Sequence, residues 1–253
     1  MTFAEEDLSD DAFLCGRLHL LQPLKGYRAA TDPVLLAAAC PATPGQSVLD
    51  LGCGAGAASL CLASRVPGLS LAGLELQPAY AALARRNAER NGIALEVAEG
   101  DLSHMPKALR RGFDHVIANP PYYPAAGTPS PHAARDRALR EDTPIGEWVT
   151  AALTRLHPGG WLTMILSAAL LPGALAALPP RGGSAQVLPL APRAGRDASR
   201  VILRARKGGK AAFRMLFPFV LHAGPAHDGD RESYTPEASA VLRGGGDLSA
   251  AFG

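Results

Sequence analysis

Ser47-Val48-Leu49-Asp50-Leu51-Gly52-Cys53-Gly54-Ala55-Gly56 is the stretch on which the fold turns. A short apolar run feeds into three glycines spaced by single residues, and residues 57–65 follow with helix-forming composition. That order predicts strand, glycine turn, helix, the opening unit of a Rossmann-like, doubly wound α/β domain. Missing Cβ atoms in the turn would let a ligand lie against the backbone, facing a helix N-terminus. Gly52, Gly54 and Ala57 also satisfy the dinucleotide spelling G-x-G-x-x-G/A, so the loop alone does not separate a nicotinamide enzyme from a methyltransferase.

Downstream, residues 71–74 read as a second strand ending in Glu75, 21 positions after Gly54. In this architecture a carboxylate at about that spacing accepts from ribose hydroxyls. A helix is expected over 78–90, stopped by Asn91-Gly92. A third strand, 94–98, ends at Glu99-Gly100-Asp101, where Asp101 could accept from an adenine amine or simply cap the turn that follows. The fourth strand, 113–118, delivers Asn119-Pro120-Pro121-Tyr122, with Tyr123 behind it. An amide, two prolines and an aromatic ring at the mouth of a buried strand suit the clamping of a flat molecule. Asp50, Glu75, Asp101 and Asn119 thereby fall on one carboxyl edge of the sheet, where open α/β sheets bind ligands.

Residues 124–142 form a long connection with Arg135, Arg137 and Arg140, expected to be a lid with a short helix over 132–140. Helix 145–157, strand 161–166, helix 168–178 and strand 186–190 come next. Residues 199–206 are then joined through Lys207-Gly208-Gly209-Lys210 to 213–221, which predicts a C-terminal antiparallel hairpin. Alternation would put Arg200, Arg204 and Arg206 on one face of it, to hold phosphates or to blunt a sheet edge. Upstream, residues 1–25 read as a short lead-in arm, and Asp32-Pro33 as the start of a helix, with Thr31 and Asp32 as a cap or as site residues. Ser233-Tyr234-Thr235-Pro236 opens a last helix through Arg243, ended by Gly244-Gly245-Gly246. The expected division is a lead-in segment over 1–46, the main domain over 47–224, and a C-terminal helix with a flexible tail over 225–253.

Composition bounds the rest. With 253 residues, 47% hydrophobic and 19% charged, the chain can bury a large core. The longest apolar run, 161–171, stops at Pro172, short of the roughly 18 to 20 residues of a membrane span. The acidic N-terminus lacks a signal-peptide pattern, so a cytoplasmic protein is expected. Cys15, Cys40, Cys53 and Cys61 form no C-x-x-C pair and the seven histidines show no ligand spacing, so neither a disulfide framework nor a metal is expected. The net charge is only +2. Between Arg193 and Arg214, however, eight basic residues face Asp197 alone, a local +7 that leaves −5 for the remainder.

With these residues in hand, the chain resembles the class I S-adenosylmethionine-dependent methyltransferases, and most closely the bacterial tRNA1(Val) adenine N6-methyltransferase family. The likeness runs over residues 26–123 and more loosely over 200–206 and 233–237. Asp50 to Gly56 looks like the family's first motif, and Asn119-Pro120-Pro121-Tyr122 like the fourth motif of its amino-methylating branch. The resemblance implies a seven-stranded, mostly parallel sheet and S-adenosylmethionine as cofactor. It implies a donor site made by Thr31, Asp50, Gly52, Cys53, Gly54, Gly56, Glu75, Leu76, Asp101, Leu102 and Asn119. Asn119, Pro120 and Tyr122 would be catalytic. Tyr123, Arg135, Arg137, Arg140, Arg200, Arg204, Arg206, Lys207 and Lys210 would bind RNA, a tRNA by the resemblance, at the adenine 3′ of the anticodon. Release-factor glutamine methyltransferases carry the same four residues; against them stands the expectation that 46 residues before Ser47 are too few for their helical substrate domain. An rRNA methyltransferase is a further alternative; a nicotinamide oxidoreductase would leave Asn119 to Tyr122 unexplained, and in a non-catalytic RNA-binding module the motif positions, all intact here, would have decayed.

Overall fold

The structure is a computed structural model and describes residues 2–121, 143–224 and 233–253. The apolar runs of the sequence become the strands of one open sheet: β3 (Ser47–Leu51), β4 (Ser70–Glu75), β5 (Leu95–Glu99), β6 (Phe113–Ala118), β7 (Leu156–Ser167), β8 (Gly182–Arg193) and β9 (Arg200–Lys207). Their spatial order is β5-β4-β3-β6-β7-β9-β8, with β9 antiparallel to both neighbours and all other pairs parallel. This is the expected seven-stranded, Rossmann-like sheet. Two short strands, β10 (Arg214–Met215) and β11 (Phe219–His222), extend it to nine along the outer side of β8.

The register between β3 and β6 is pinned by a side chain. Asp114 accepts from the Ser47 amide at 2.9 Å and the Ser47 hydroxyl at 2.8 Å, and Ser47 Oγ in turn accepts from the Asp114 amide. These bonds hold the N-terminal ends of the two central strands level, so Asp50 and Asn119 emerge together at the other end.

Helices cover both faces. α1 (Thr31–Ala39), α2 (Ala57–Arg65), α6 (Pro236–Leu242) and α7 (Ser249–Phe252) enclose one core with Leu35, Leu36, Leu60 and Ile202. α4 (Ile145–Arg155) and α5 (Leu171–Ala176) enclose the other, around Leu153, Phe113, Leu162 and Leu203. α3 (Pro78–Arg90) lies against β4 and β5. Among the described residues no helix is long and apolar enough to cross a membrane.

Several sequence expectations need correction. The supposed lead-in arm is an antiparallel hairpin of its own, β1 (Leu8–Phe13) with β2 (Leu18–Pro23). It is fastened to α3 by Asn87, whose side chain accepts from Leu21 N and donates to the carbonyls of Leu21 and Ala55. The C-terminal antiparallel hairpin is β8–β9; the run after Gly208-Gly209 does not fold back on β9 but crosses to pair with β8 in parallel. The helix expected over 168–178 is only the short α5 after one 3₁₀ turn. The supposed flexible tail is packed, because Leu248 and Phe252 are each 3% exposed within the first core. The expected lid over 124–142, with Arg135, Arg137 and Arg140, lies outside the described residues, as do Tyr122 and Tyr123.

Candidate active site

At the carboxyl ends of β3, β4 and β6 a cavity of about 300 Å³ opens between the glycine loop and the start of α1. The loop can enter it because its backbone takes a path other residues resist. Gly52 has φ +69°, and a Cβ there would come within 2.7 Å of the Trp148 ring. Gly54 has φ +56° and lies under Tyr27. Gly56 is the left-handed residue in front of α2 and packs toward Ala84 and Leu95, so it shapes the loop without lining the cavity.

Each strand end supplies a polar group. Glu75 is 7% exposed and accepts from the Gly54 amide on one oxygen and the Gln77 amide on the other, both at 2.9 Å. These bonds tie the second strand end to the glycine loop, and Glu75 lines the cavity. Asp50 is 2% exposed and accepts from Ser59 Oγ at 2.8 Å; burial pushes its carboxyl up to about 7. Asp101 lies at the outer lip, where Oδ1 accepts from both the amide and hydroxyl of Ser103, which hold its pKa below the usual range. The capping role is therefore real, and the residue lines the cavity as well. Leu76, Leu102, Cys53 and Thr31 line it too.

Asn119 ends β6 at the inner wall. Its Nδ2 donates to the Tyr27 hydroxyl at 3.2 Å, while its Oδ1 is buried with no hydrogen-bond partner among the described residues. A buried acceptor left unmatched costs on the order of 1–3 kcal/mol, and at a cavity wall a water or a ligand can supply the missing donor. Tyr27 was not singled out as a site residue by its sequence. It is held by Tyr80, whose hydroxyl accepts from the Tyr27 amide at 2.9 Å and donates to its carbonyl at 3.1 Å. Trp148 was likewise missed, being one more apolar position of an amphipathic helix.

Asp32 is not the cap of α1. Ala30 occupies that position, and the Asp32 carboxylate instead accepts from Arg200 Nε at 2.7 Å, 168 residues away. Both residues line the cavity mouth. The basic residues of β9 thus separate in role. Arg204 shares a sheet face with Arg200 and Arg206 but is only 7% exposed, covered by the Phe252 ring at 4.1 Å. Its expected role toward RNA phosphates is corrected to a packing one. Arg206 is exposed and donates to the Gly159 carbonyl, Lys207 donates to the carbonyls of Thr154 and Leu156, and Lys210 is exposed in the turn.

The family described as methyltransferase small domain matches residues 30–174, more than half of the chain and all the cavity-lining strand ends. The chain belongs to this family. A release factor glutamine methyltransferase of Geobacter sulfurreducens is 35% identical over 148 residues, covering 55% of this chain and 51% of that one. A tRNA1(Val) (adenine(37)-N6)-methyltransferase of Porphyromonas gingivalis is 32% identical over 165 residues, covering 61% and 64%. The chain thus spans about half to two thirds of these relatives. The crystal structure of a predicted O-methyltransferase from Agrobacterium tumefaciens superposes with TM-score 0.69 at 27% identity, covering 86% of this chain and 98% of that one.

The family's cofactor is S-adenosylmethionine, and the cavity fits it. The glycine loop admits close backbone approach, Glu75 offers acceptors for ribose hydroxyls, Leu76 and Leu102 offer apolar surface to a purine, and Asp50 a carboxylate to a cationic ligand. Asn119 stands at the inner wall of the same cavity.

Proposed function

We propose that this methyltransferase small domain protein methylates the exocyclic N6 amine of an adenine in RNA, specifically the adenine 3′ of the anticodon in a tRNA. The observation that carries the reading is the unmatched, buried Oδ1 of Asn119 at the cavity wall. An exocyclic amine on adenine is planar, because its lone pair is delocalised into the ring, and is a weak nucleophile. Bound S-adenosylmethionine supplies an electrophilic methyl on a sulfonium. Asn119 Oδ1 accepts one amine hydrogen and the Pro120 carbonyl the other, which turns the nitrogen lone pair toward that methyl. Orientation and preorganised acceptors then provide most of the rate. No strong base is needed, since the alkylated nitrogen becomes acidic and releases its proton to water. Pro120 and Pro121 restrict φ and carry no N–H, which keeps the carbonyl directed inward. An aromatic residue following Pro121 in the motif, Tyr122, would supply a flat face for the base, and stacking of that kind is worth about 1–3 kcal/mol in single-strand binding sites.

The base must leave its stack to enter, which is cheapest in a loop. Arg200 at the cavity mouth favours an anionic acceptor, while the exposed Arg206 and Lys210 lie at the opposite end of β9, by the amino ends of the parallel strands. The second reading, methylation of a glutamine side chain, is favoured by the similarity to the Geobacter protein, and a side-chain amide nitrogen is planar in the same way. Incubation with labelled S-adenosylmethionine and separate pools of unmodified tRNA, ribosomal RNA and release factor decides between them. Label in tRNA is expected; label in release factor alone overturns the choice. Asn119→Ala should abolish transfer while cofactor binding stays measurable by calorimetry, and an active Asn119→Ala protein would sink the mechanism.

A further inference from the structure

The outer edge of the sheet carries apolar side chains that the fold itself does not use. Phe213 is 50% exposed, Met215 58% and Phe217 87%, at alternate positions along the segment that runs beside β8, whereas Leu216 between them is 9% exposed. An edge strand bearing alternate large apolar groups is a liability unless something covers it.

Beside the start of this segment lies a group of cations. Lys207 reaches the carbonyls of Thr154 and Leu156 at the end of α4, and Arg181 donates to Thr154 Oγ1 at 3.0 Å. Arg155 is the last residue of α4, and Arg155 and Arg181 both depress the Lys207 ammonium, after burial. Among the described residues none of these three has an ion pair with a carboxylate. The turn after Lys207 is laid against the same place: Gly208 N donates to Arg181 O at 2.8 Å and Ala211 N to Ser184 Oγ at 3.0 Å. Phe213 follows two residues later, and Arg214 stands opposite Gln186 on β8. Cations without acids, continued by exposed aromatic rings, are what a single nucleic-acid strand requires: charge for the phosphates and flat faces for the bases. A second copy of this chain would gain the apolar contact but would bring its own Arg155, Arg181 and Lys207 into the interface.

We infer that the edge formed by Phe213, Met215 and Phe217, with Arg155, Arg181 and Lys207 beside it, is a docking surface for single-stranded RNA outside the active site. The surface deepens the proposed function and rests on it for its biological substrate. Four strand spacings separate β6 from β10, about 19 Å across the sheet at roughly 4.8 Å each, and the cations lie at the amino edge of the sheet while the cavity opens at its carboxyl edge. An acceptor engaging both places is therefore a folded RNA and not one nucleotide.

The test uses the full-length protein and a fluorescent polyuridine oligonucleotide, which contains no adenine and so reports docking apart from methyl transfer. Anisotropy should show salt-dependent binding. Phe213→Ser with Phe217→Ser, both at exposed positions, should weaken it by about tenfold or more. Arg155→Gln with Arg181→Gln should lower the slope of log affinity against log salt by about 1.4. Cofactor binding and melting temperature should match the parent in both variants. On a tRNA transcript the same changes should raise KM and leave kcat unaltered. Undiminished polyuridine binding by the serine variant overturns the proposal. So does a parent dimer that Phe217→Ser dissociates with RNA binding intact, since the edge would then belong to a second copy. If polyuridine binding fails in the variants but no RNA accepts a methyl group from the parent, the docking surface stands and the adenine reading falls.

Discussion

At the scale of single residues, the active site depends on which atoms are already engaged. Asn119 could present either end of its amide to the cavity, and the Tyr27 hydroxyl takes the Nδ2 end. The phenol thereby leaves Oδ1 as the end without a partner among the described residues, the acceptor that the proposed mechanism uses. Removing the hydroxyl in Tyr27→Phe frees the amide to turn, and a neutral hydrogen bond of about 1 kcal/mol corresponds to a loss of roughly five- to tenfold in kcat. Cofactor affinity should change less than kcat, because the glycine loop and Glu75 are untouched. Steady-state kinetics with calorimetry on the same preparation checks this; an unchanged kcat would mean that the β6 backbone alone orients Asn119. Asp32 and Arg200 make a similar point. Either looks like a surface residue in isolation, and only their pairing across 168 positions shows that the mouth of the cavity is braced by an ion pair.

At the scale of elements, the N-terminal hairpin and α3 act as one unit with the glycine loop. Asn87 is fully buried and bonds to both backbone groups of Leu21 and to the carbonyl of Ala55. Asn87→Ala would leave three backbone groups unmatched in a dry place. A destabilisation of about 2–4 kcal/mol is expected, seen as a lower midpoint in urea unfolding. Because Ala55 belongs to the loop under the ligand, cofactor affinity should fall as well. A variant with parental stability would show that water replaces the amide there. The β8–β9 pair illustrates how an element can be right while its partner is misjudged. Gly208-Gly209 does make a turn, yet both edges of β9 are already paired, with β7 and β8, so the chain that follows adds to the free edge of β8 as β10 and β11.

Across the whole molecule, two buried titratable groups carry opposite shifts. Burial raises Asp50 from 3.8 to about 7 and lowers His115 from 6.5 to about 4, where Nε2 is bonded to Gln46 Oε1 at 2.8 Å. Between these values the folded state holds a proton on Asp50 that the unfolded chain lacks, and lacks one on His115 that the unfolded chain holds. Raised Asp50 alone gives stability that is lost as pH rises from about 4 through 7. Depressed His115 alone gives stability that is lost as pH falls from about 6.5 through 4. In the parent the two slopes oppose, so stability should be nearly flat from pH 4.5 to 6.5, since each proton is worth about 1.4 kcal/mol per pH unit. Asp50→Asn should tilt the profile so that stability rises with pH, and His115→Asn so that it falls. Thermal melts across that range test this, and parallel profiles in all three proteins would refute it.

Much of this could be read from the order of residues. Period, glycine turns and strand-end acids are local properties of the chain, and they were enough to place β3, α2, β4, α3, β5 and β6 in a doubly wound sheet with Asp50, Glu75 and Asn119 at its carboxyl edge. The polar lining of the cavity is legible for the same reason: Asp50, Glu75 and Asn119 each lie at the end of their own strand. Contacts between residues far apart in the chain leave no comparable signal. The Asn119–Tyr27 bond, the Asp32–Arg200 pair, the burial of Arg204 under Phe252 and the anchoring of the first hairpin by Asn87 join segments 66 to 168 residues apart or pack the chain end inward. An arginine or asparagine in the sequence looks the same whether it meets water, a ligand or a ring. Only the packed chain decides that, because burial and hydrogen-bond matching are properties of neighbours in space.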